Sequence, residues 1–373
     1  MTYEGPCIDP DVHHQWRDAA ELIEYFPKKW QEILRRDGHS ELSLDPPNLT
    51  YPNVTGVNKR LDTFPPGGGP PGSDYLTLKE QLLDKHNVER VVLSFDTGQN
   101  AALRNPYLAV ECARAANDWT MEQWLDGKDD RLYGAMLTAN AMPEQAAMEV
   151  RRVGRHPRIV EVLMDANPLG IPFGHPIYSP IHEAAAEMGL PIVFHIGMDG
   201  YGVAHPTAGG LPGNRLEFHS LLPQGMVHNL VSFITHGVFE RFPTLKLFIV
   251  EAGVSWIPWL LWSLDSHYKL LRLESPWVKR LPSEYIFEHV RITTQPLEDG
   301  PDGRQLVELL QTVDGIEDLL CFASDYPHWD ADDPYYVARK LPQKWLPKIF
   351  YENARSLQRW PSAASPNTRA RQK

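Results

Sequence analysis

Eight short runs rich in β-branched and other apolar residues recur along the chain, at 7–13, 90–95, 132–137, 159–164, 191–195, 245–251, 290–294 and 319–324. Between several of them, as at 106–125, 143–153 and 177–188, apolar residues return at intervals of three and four, the period of a helix that buries one face. Strands alternating with helices are the signature of parallel βα units. Eight such units predict an α/β fold, a single (β/α)8 TIM barrel. The 373 residues fit one elaborated barrel, because such barrels run to about 250 residues or more as one unit. The barrel is expected over 1–360, followed by a polar, basic tail at 361–373 that should fray.

One segment breaks the rhythm. Residues 45–74 hold Pro46, Pro47, Pro52, Pro65, Pro66, Pro70 and Pro71 with Gly67, Gly68, Gly69 and Gly72. Such a composition sustains neither a helix nor a central strand. It reads as a long Pro/Gly-rich loop inserted after the first strand, which places it at the C-terminal mouth where barrels of this kind carry their sites.

The charge balance excludes some functions. With 36 Lys and Arg against 48 Asp and Glu, the formal charge is −12, which gives no nucleic-acid footprint. No segment approaches the roughly 20 apolar residues that cross a bilayer, and the start MTYEGPCIDPD does not read as a signal peptide. A cytoplasmic protein without membrane contact is expected. Cys7, Cys112 and Cys321 are widely and irregularly spaced, so they read as buried thiols rather than a disulfide framework or a zinc pattern.

Strand ends are the filter for the 15 histidines. Asp9, Asp11 and His13 end the first strand, His195 the fifth and Glu251 the sixth, and Asp325 and His328 follow the eighth. In Asp11-Val12-His13 the outer two side chains share one face of an extended strand, so they can offer a carboxylate and an imidazole to one ion. Glu251 could be a ligand, a general base for metal-bound water, or half of a structural ion pair. His328 suits a substrate contact or proton donor better than a ligand. His14 should point away from the face of His13, and His236 lies where the chain turns towards strand six. Trp256, Trp259, Leu260 and Ser263 read as one helical stripe, of core or oligomer contact. Neither a G-x-S-x-G elbow nor a phosphate loop is present.

IDPDVHH, GVFERFPTLKLFIVEAGVSW and ASDYPH together resemble the amidohydrolase superfamily, in the branch that contains aminocarboxymuconate-semialdehyde decarboxylase and γ-resorcylate decarboxylase. The resemblance runs from about Cys7 to Trp360. It implies that the branch's first-strand metal pair falls on Asp11 and His13, its strand-five ligand on His195 and its strand-eight ligand on Asp325. Two departures matter. The first ligand of the branch is His or Glu, and here it is Asp11. Strand six of the branch's decarboxylases ends in a His that acts as acid/base, and here it ends in Glu251.

The expectation is therefore one divalent ion, Zn²⁺ or Mn²⁺, held by Asp11, His13, His195 and Asp325. The leading reading is a hydrolase acting on a small carboxylated or cyclic organic substrate through metal-activated water. Asp325 or Glu251 would take the proton, and His328 would contact the substrate. The alternative is a metal-dependent non-oxidative decarboxylase, a carbon–carbon lyase of a hydroxy-aromatic or unsaturated carboxylic acid. A third reading is a degenerate, non-catalytic binding barrel. The expected partners are a small-molecule substrate and a second copy of the chain in a homo-oligomer, a dimer.

Overall fold

Parallel strands that are apolar on both faces need cover on both, and this requirement shapes the whole molecule. A computed structural model describes residues 3–36, 59–95, 105–165, 167–196, 214–221, 223–298, 300 and 304–360. Among these, eight strands form one parallel sheet in chain order: β1 (Cys7–His14), β2 (Val88–Phe95), β3 (Leu132–Leu137), β4 (Ile159–Met164), β5 (Ile192–His195), β6 (Leu247–Val250), β7 (Val290–Thr293) and β8 (Leu320–Cys321). All residues of β1, β3, β4, β5, β6 and β8 are buried. The sheet closes where β1 meets the segment after β8. Val12 pairs in parallel with Tyr326, the His13 N–H donates to the Tyr326 carbonyl at 2.7 Å, and the Asp325 N–H to the Asp11 carbonyl at 3.1 Å.

The helices begin and end on local chemistry. The helix Pro106–Thr120 starts on the Asn105 side chain, which accepts from the N–H groups of Tyr107 and Leu108, and it carries proline at the start, where no N–H is needed. It runs on into a π-helical turn, Met121–Leu125. The helix Ser179–Met188 stops at Gly189, whose left-handed φ of 64° closes it. Cys7, Cys112 and Cys321 are buried and unpaired. No helix among the described residues is long and apolar enough to cross a membrane.

Three expectations are corrected. Strand six, expected over 245–251, is confined to Leu247–Val250 because Glu251 turns into a left-handed backbone with φ 57°. Strand eight, expected over 319–324, is only Leu320–Cys321. Beyond it the Phe322 N–H donates to the Ile349 carbonyl and the Ser324 N–H to the Asp9 carboxylate instead of to a strand. The tryptophan stripe splits at the helix Ile257–Leu271: Trp256 and Leu260 are buried, whereas Trp259 is 57% exposed.

Of the Pro/Gly-rich segment, 45–58 lies outside the described residues, as does the tail 361–373. Residues 59–74 run along the mouth. The Arg60 N–H donates to the Pro327 carbonyl at 3.1 Å, Lys59 pairs with His328 in an antiparallel bridge, and the Gln15 N–H donates to the Gly72 carbonyl at 3.1 Å. Gly72 has φ 82°, and a Cβ there would sit 2.8 Å from the His13 carbonyl oxygen. Only glycine allows this approach.

The opposite end is closed by the C-terminal segment. The Arg359 guanidinium donates to the carbonyls of Met188, Gly154, His156 and Ile159, and Gln358 donates to the carboxyl of Glu161 inside β4. Burial pushes the Glu161 carboxyl from 4.5 up to about 8, against the hydrogen bond from Gln358. The folded protein thus keeps a proton that the unfolded chain gives up. This stabilising contribution is complete below the unfolded value of 4.5 and is lost as the pH rises through about 8. Glu161→Gln should therefore flatten the fall in Tm between about pH 5 and about pH 8.5, measured by thermal unfolding. An unchanged slope would remove Glu161 as its source.

Candidate metal centre at the barrel mouth

Alternation along β1 puts Asp11 and His13 on one face, with the fully buried Val12 on the other. His195 is the last residue of β5, and Asp325 follows β8 in a left-handed conformation with φ 58°. Non-glycine residues held there cost about 1–3 kcal/mol and persist where surrounding structure enforces them. One ligand atom from each of Asp11, His13, His195 and Asp325 lies within 4.8 Å of all the others. None of the four is more than 6% exposed.

Their close contacts set imidazole nitrogens against carboxylate oxygens. His195 Nδ1 lies 2.5 Å from the Ile196 carbonyl oxygen, so it must carry the proton, which leaves Nε2 with a lone pair in the neutral ring. That Nε2 faces Asp11 Oδ1 at 3.3 Å, and His13 Nε2 faces Asp325 Oδ1 at 2.9 Å and Asp11 Oδ1 at 3.6 Å. Asp11 Oδ2 and His195 Nε2 are buried without a hydrogen-bond partner. Such a cluster needs positive charge at its centre. The charges press the same way: burial works to lower the His195 pKa, yet the Asp11 carboxylate outweighs it and holds the ring well above its ordinary range, so that without an ion the cluster draws a second proton onto His195. For Asp11, burial is overcome by His195 and His13, and its carboxyl is held low. Two imidazole nitrogens and two carboxylates in one dry point fit a single divalent ion, Zn²⁺ or Mn²⁺.

Glu251 and His328 flank this cluster. Glu251 Oε2 lies 3.6 Å from His195 Nδ1, and its backbone N–H donates to Thr293 Oγ1 at 3.1 Å. Burial, then the Asp325 charge, push its carboxyl well above the usual range. A divalent cation in the cluster would oppose that shift. His328 Nδ1 meets Asp325 Oδ1 at 2.5 Å, and its ring stands edge-on to His13 with centroids 4.5 Å apart. For Asp325, burial is outweighed by His328 and His13, and the carboxyl stays ionised.

The other candidates lie elsewhere. His14 turns away, bonding the Ser94 carbonyl and Thr120 Oγ1 at 2.8 Å each among Phe95, Trp119 and Trp124. His236 faces His175 instead. Asp9 lies behind the cluster as a clamp, its Oδ1 accepting from the N–H groups of Ser324 at 3.0 Å and Asp11 at 3.3 Å. Burial pushes its carboxyl up to about 7.

Two contributors escaped sequence reading. Ser94 on β2 donates to Asp11 Oδ1 at 2.9 Å, and Gln295 just past β7 donates to Asp325 Oδ2 at 3.0 Å. Neither stands out in the sequence, since Ser94 precedes the last residue of β2 and Gln295 follows Thr293 and Thr294.

Comparison with known proteins adds a family. The amidohydrolase family profile matches residues 8–359. A γ-resorcylate decarboxylase from Polaromonas sp. is 23% identical over 303 residues, which cover 76% of this chain and 87% of that protein. One from Rhodococcus jostii is 24% identical over 269 residues, covering 68% of this chain and 78% of that one. Among solved structures, the 5-carboxyvanillate decarboxylase of Sphingomonas paucimobilis superposes with a TM-score of 0.66 at 20% identity, covering 95% of this chain and 99% of that one. The dihydroxybenzoic acid decarboxylase of Polaromonas sp., solved with bound manganese and the inhibitor 2-nitroresorcinol, gives 0.64 at 18% identity, with 95% and 96% covered. These structural likenesses establish the fold.

If the four side chains form a metal centre, purified protein should carry about one divalent ion per chain by plasma mass spectrometry. Asp11→Ala and His195→Ala should each lose most of it while remaining folded by circular dichroism. Full metal content in both variants would contradict the placement.

Proposed function

The chain belongs to the amidohydrolase family, and from that premise we propose that it is a metal-dependent, non-oxidative decarboxylase. Its substrate class is a small hydroxy-aromatic or unsaturated carboxylic acid, handled in the cytoplasm. The observation that carries this reading is the meeting of Asp11, His13, His195 and Asp325 at one buried point with Glu251 beside His195. The γ-resorcylate decarboxylases among its relatives favour this chemistry over the hydrolysis that led the reading of the sequence.

Held by those four side chains, a divalent ion would supply Lewis acidity and charge neutralisation to a chelating hydroxy-carboxylate. The protein supplies the rest. Glu251 is the acid: its carboxyl proton goes to the carbon that bears the carboxylate, a C–H bond forms, the C–C bond breaks with its electron pair returning to the substrate, and CO₂ leaves. Glu251 is then reprotonated from solvent. His328, oriented through Nδ1 by Asp325, contacts the substrate. Burial of every one of these groups keeps bulk water from the reacting carbon, and residues 59–74 add cover at the mouth. Hydrolysis would use the same groups differently, with Glu251 or Asp325 accepting a proton from water.

The proposal includes a homo-oligomer. On the helix Ile257–Leu271 and just beyond it, Trp259, Trp262, Leu270 and Leu273 are all more than half exposed and return at helical intervals, which suits contact with a second copy. Trp259→Asp combined with Trp262→Asp should shift the sedimentation coefficient to that of a monomer; an unchanged value would place the contact elsewhere.

The catalytic reading is tested by product and by variant. Wild-type protein with Mn²⁺ should release CO₂ from hydroxybenzoates or unsaturated carboxylic acids. Glu251→Gln, which keeps size and removes the acid, should lower kcat by about 10²-fold or more with metal content near normal. A wild-type rate in that variant would exclude the acid role.

A further inference from the structure

The Ser94 hydroxyl touches two candidate ligands at once. It lies 2.9 Å from Asp11 Oδ1 and 3.3 Å from His13 Nδ1, and Ser94 is itself 4% exposed. The contact follows from register, because Ser94 on β2 is the direct neighbour of His13 on β1. The serine backbone is fixed as well, since its carbonyl accepts from His14 Nδ1 at 2.8 Å.

A hydroxyl has one hydrogen to give. An ionised carboxylate can only accept, so that hydrogen points at Asp11 Oδ1. With His13 Nε2 given to an ion, the ring carries its hydrogen on Nδ1, and the serine oxygen accepts it. One proton order follows, from His13 Nδ1 to Ser94 Oγ and from Ser94 Oγ to Asp11 Oδ1. It leaves His13 Nε2, which faces Asp325, for an ion. It also fixes Asp11 Oδ1, the oxygen that faces both His195 Nε2 and His13 Nε2 and keeps a second lone pair.

We propose that Ser94 is a positioning residue that orients both Asp11 and His13 as ligands through this single hydroxyl. The inference rests on the metal centre proposed above. It also accounts for how aspartate serves in the first ligand position: a short carboxylate is held from behind by the neighbouring strand. Groups that orient metal ligands in this way carry 10–100-fold effects on affinity.

The test is Mn²⁺ binding by calorimetry to the metal-stripped full chain, with thermal unfolding of the same stripped samples as the control for folding. Ser94→Ala should weaken binding about 10–100-fold with little change in the stripped protein's Tm. Ser94→Cys keeps the volume and loses the strong donor, so it should show the same loss and carries the test if the alanine variant fails to fold. Ser94→Thr restores the hydroxyl and should return affinity close to wild type. In Zn²⁺-loaded wild type, proton–nitrogen correlation spectra should find His13 protonated at Nδ1, and Ser94→Ala should lose that preference. Wild-type affinity in both the alanine and cysteine variants would overturn the role of Ser94 and leave the metal centre standing. Equal Mn²⁺ binding by wild type and His195→Ala would overturn the metal centre, and this inference with it.

Discussion

Carboxylates and imidazoles crowded into a dry space need positive charge among them, and at the mouth of this barrel they come as close as 2.9 Å, between His13 Nε2 and Asp325 Oδ1. Much of the surrounding structure holds that contact in place. Ile196 fixes the proton of His195 on Nδ1 through its carbonyl, Gln295 grips Asp325 from the β7 side, and Asp9 ties the backbones of Asp11 and Ser324 together. Each interaction restricts orientation without supplying the missing charge. A divalent ion held there would supply it, and would offset the several kcal/mol per unpaired charge that burying these groups otherwise costs.

Barrel closure and site assembly are one event. The ends of the sheet farthest apart in sequence, β1 and the segment just after β8, meet through the Asp325 N–H on the Asp11 carbonyl and the His13 N–H on the Tyr326 carbonyl. The bonds that close the sheet therefore also set the spacing of three of the four candidate ligands. The left-handed backbones of Glu251 and Asp325 turn the chain sharply as it leaves β6 and β8, which delivers both carboxylates to the mouth.

The barrel was legible because eight apolar runs can be buried only in a sheet covered on both faces, and three of them, the first, fifth and sixth, end on a residue type that binds metals or moves protons. Strand ends alone offered Asp9, Asp11, His13, His195, Glu251, Asp325 and His328; the family resemblance narrowed the ligands to Asp11, His13, His195 and Asp325, and the structure brings these four together. Strand lengths were harder to read. Glu251 and Ser324 look like strand continuations in sequence, but a left-handed turn and a side-chain acceptor from Asp9 end the pairing first. Ser94 and Gln295 were invisible for a related reason: their importance lies in which residue sits beside them across the barrel, and register is a property of the folded sheet. The helix after Glu251 was read as one apolar stripe because tryptophan spacing alone does not tell the inward from the outward edge of a helix.

Glu251 separates the two chemistries that this family scaffold could support. As an acid it gives a proton to carbon, and as a base it takes one from water, so the isotope that enters the product distinguishes them. The most direct measurement is mass spectrometry of the product formed in D₂O enriched in heavy oxygen. Decarboxylation predicts one non-exchangeable deuterium on the carbon that lost CO₂ and no oxygen from solvent. A product that gains solvent oxygen and carries no carbon-bound deuterium would contradict the account and return the protein to hydrolysis.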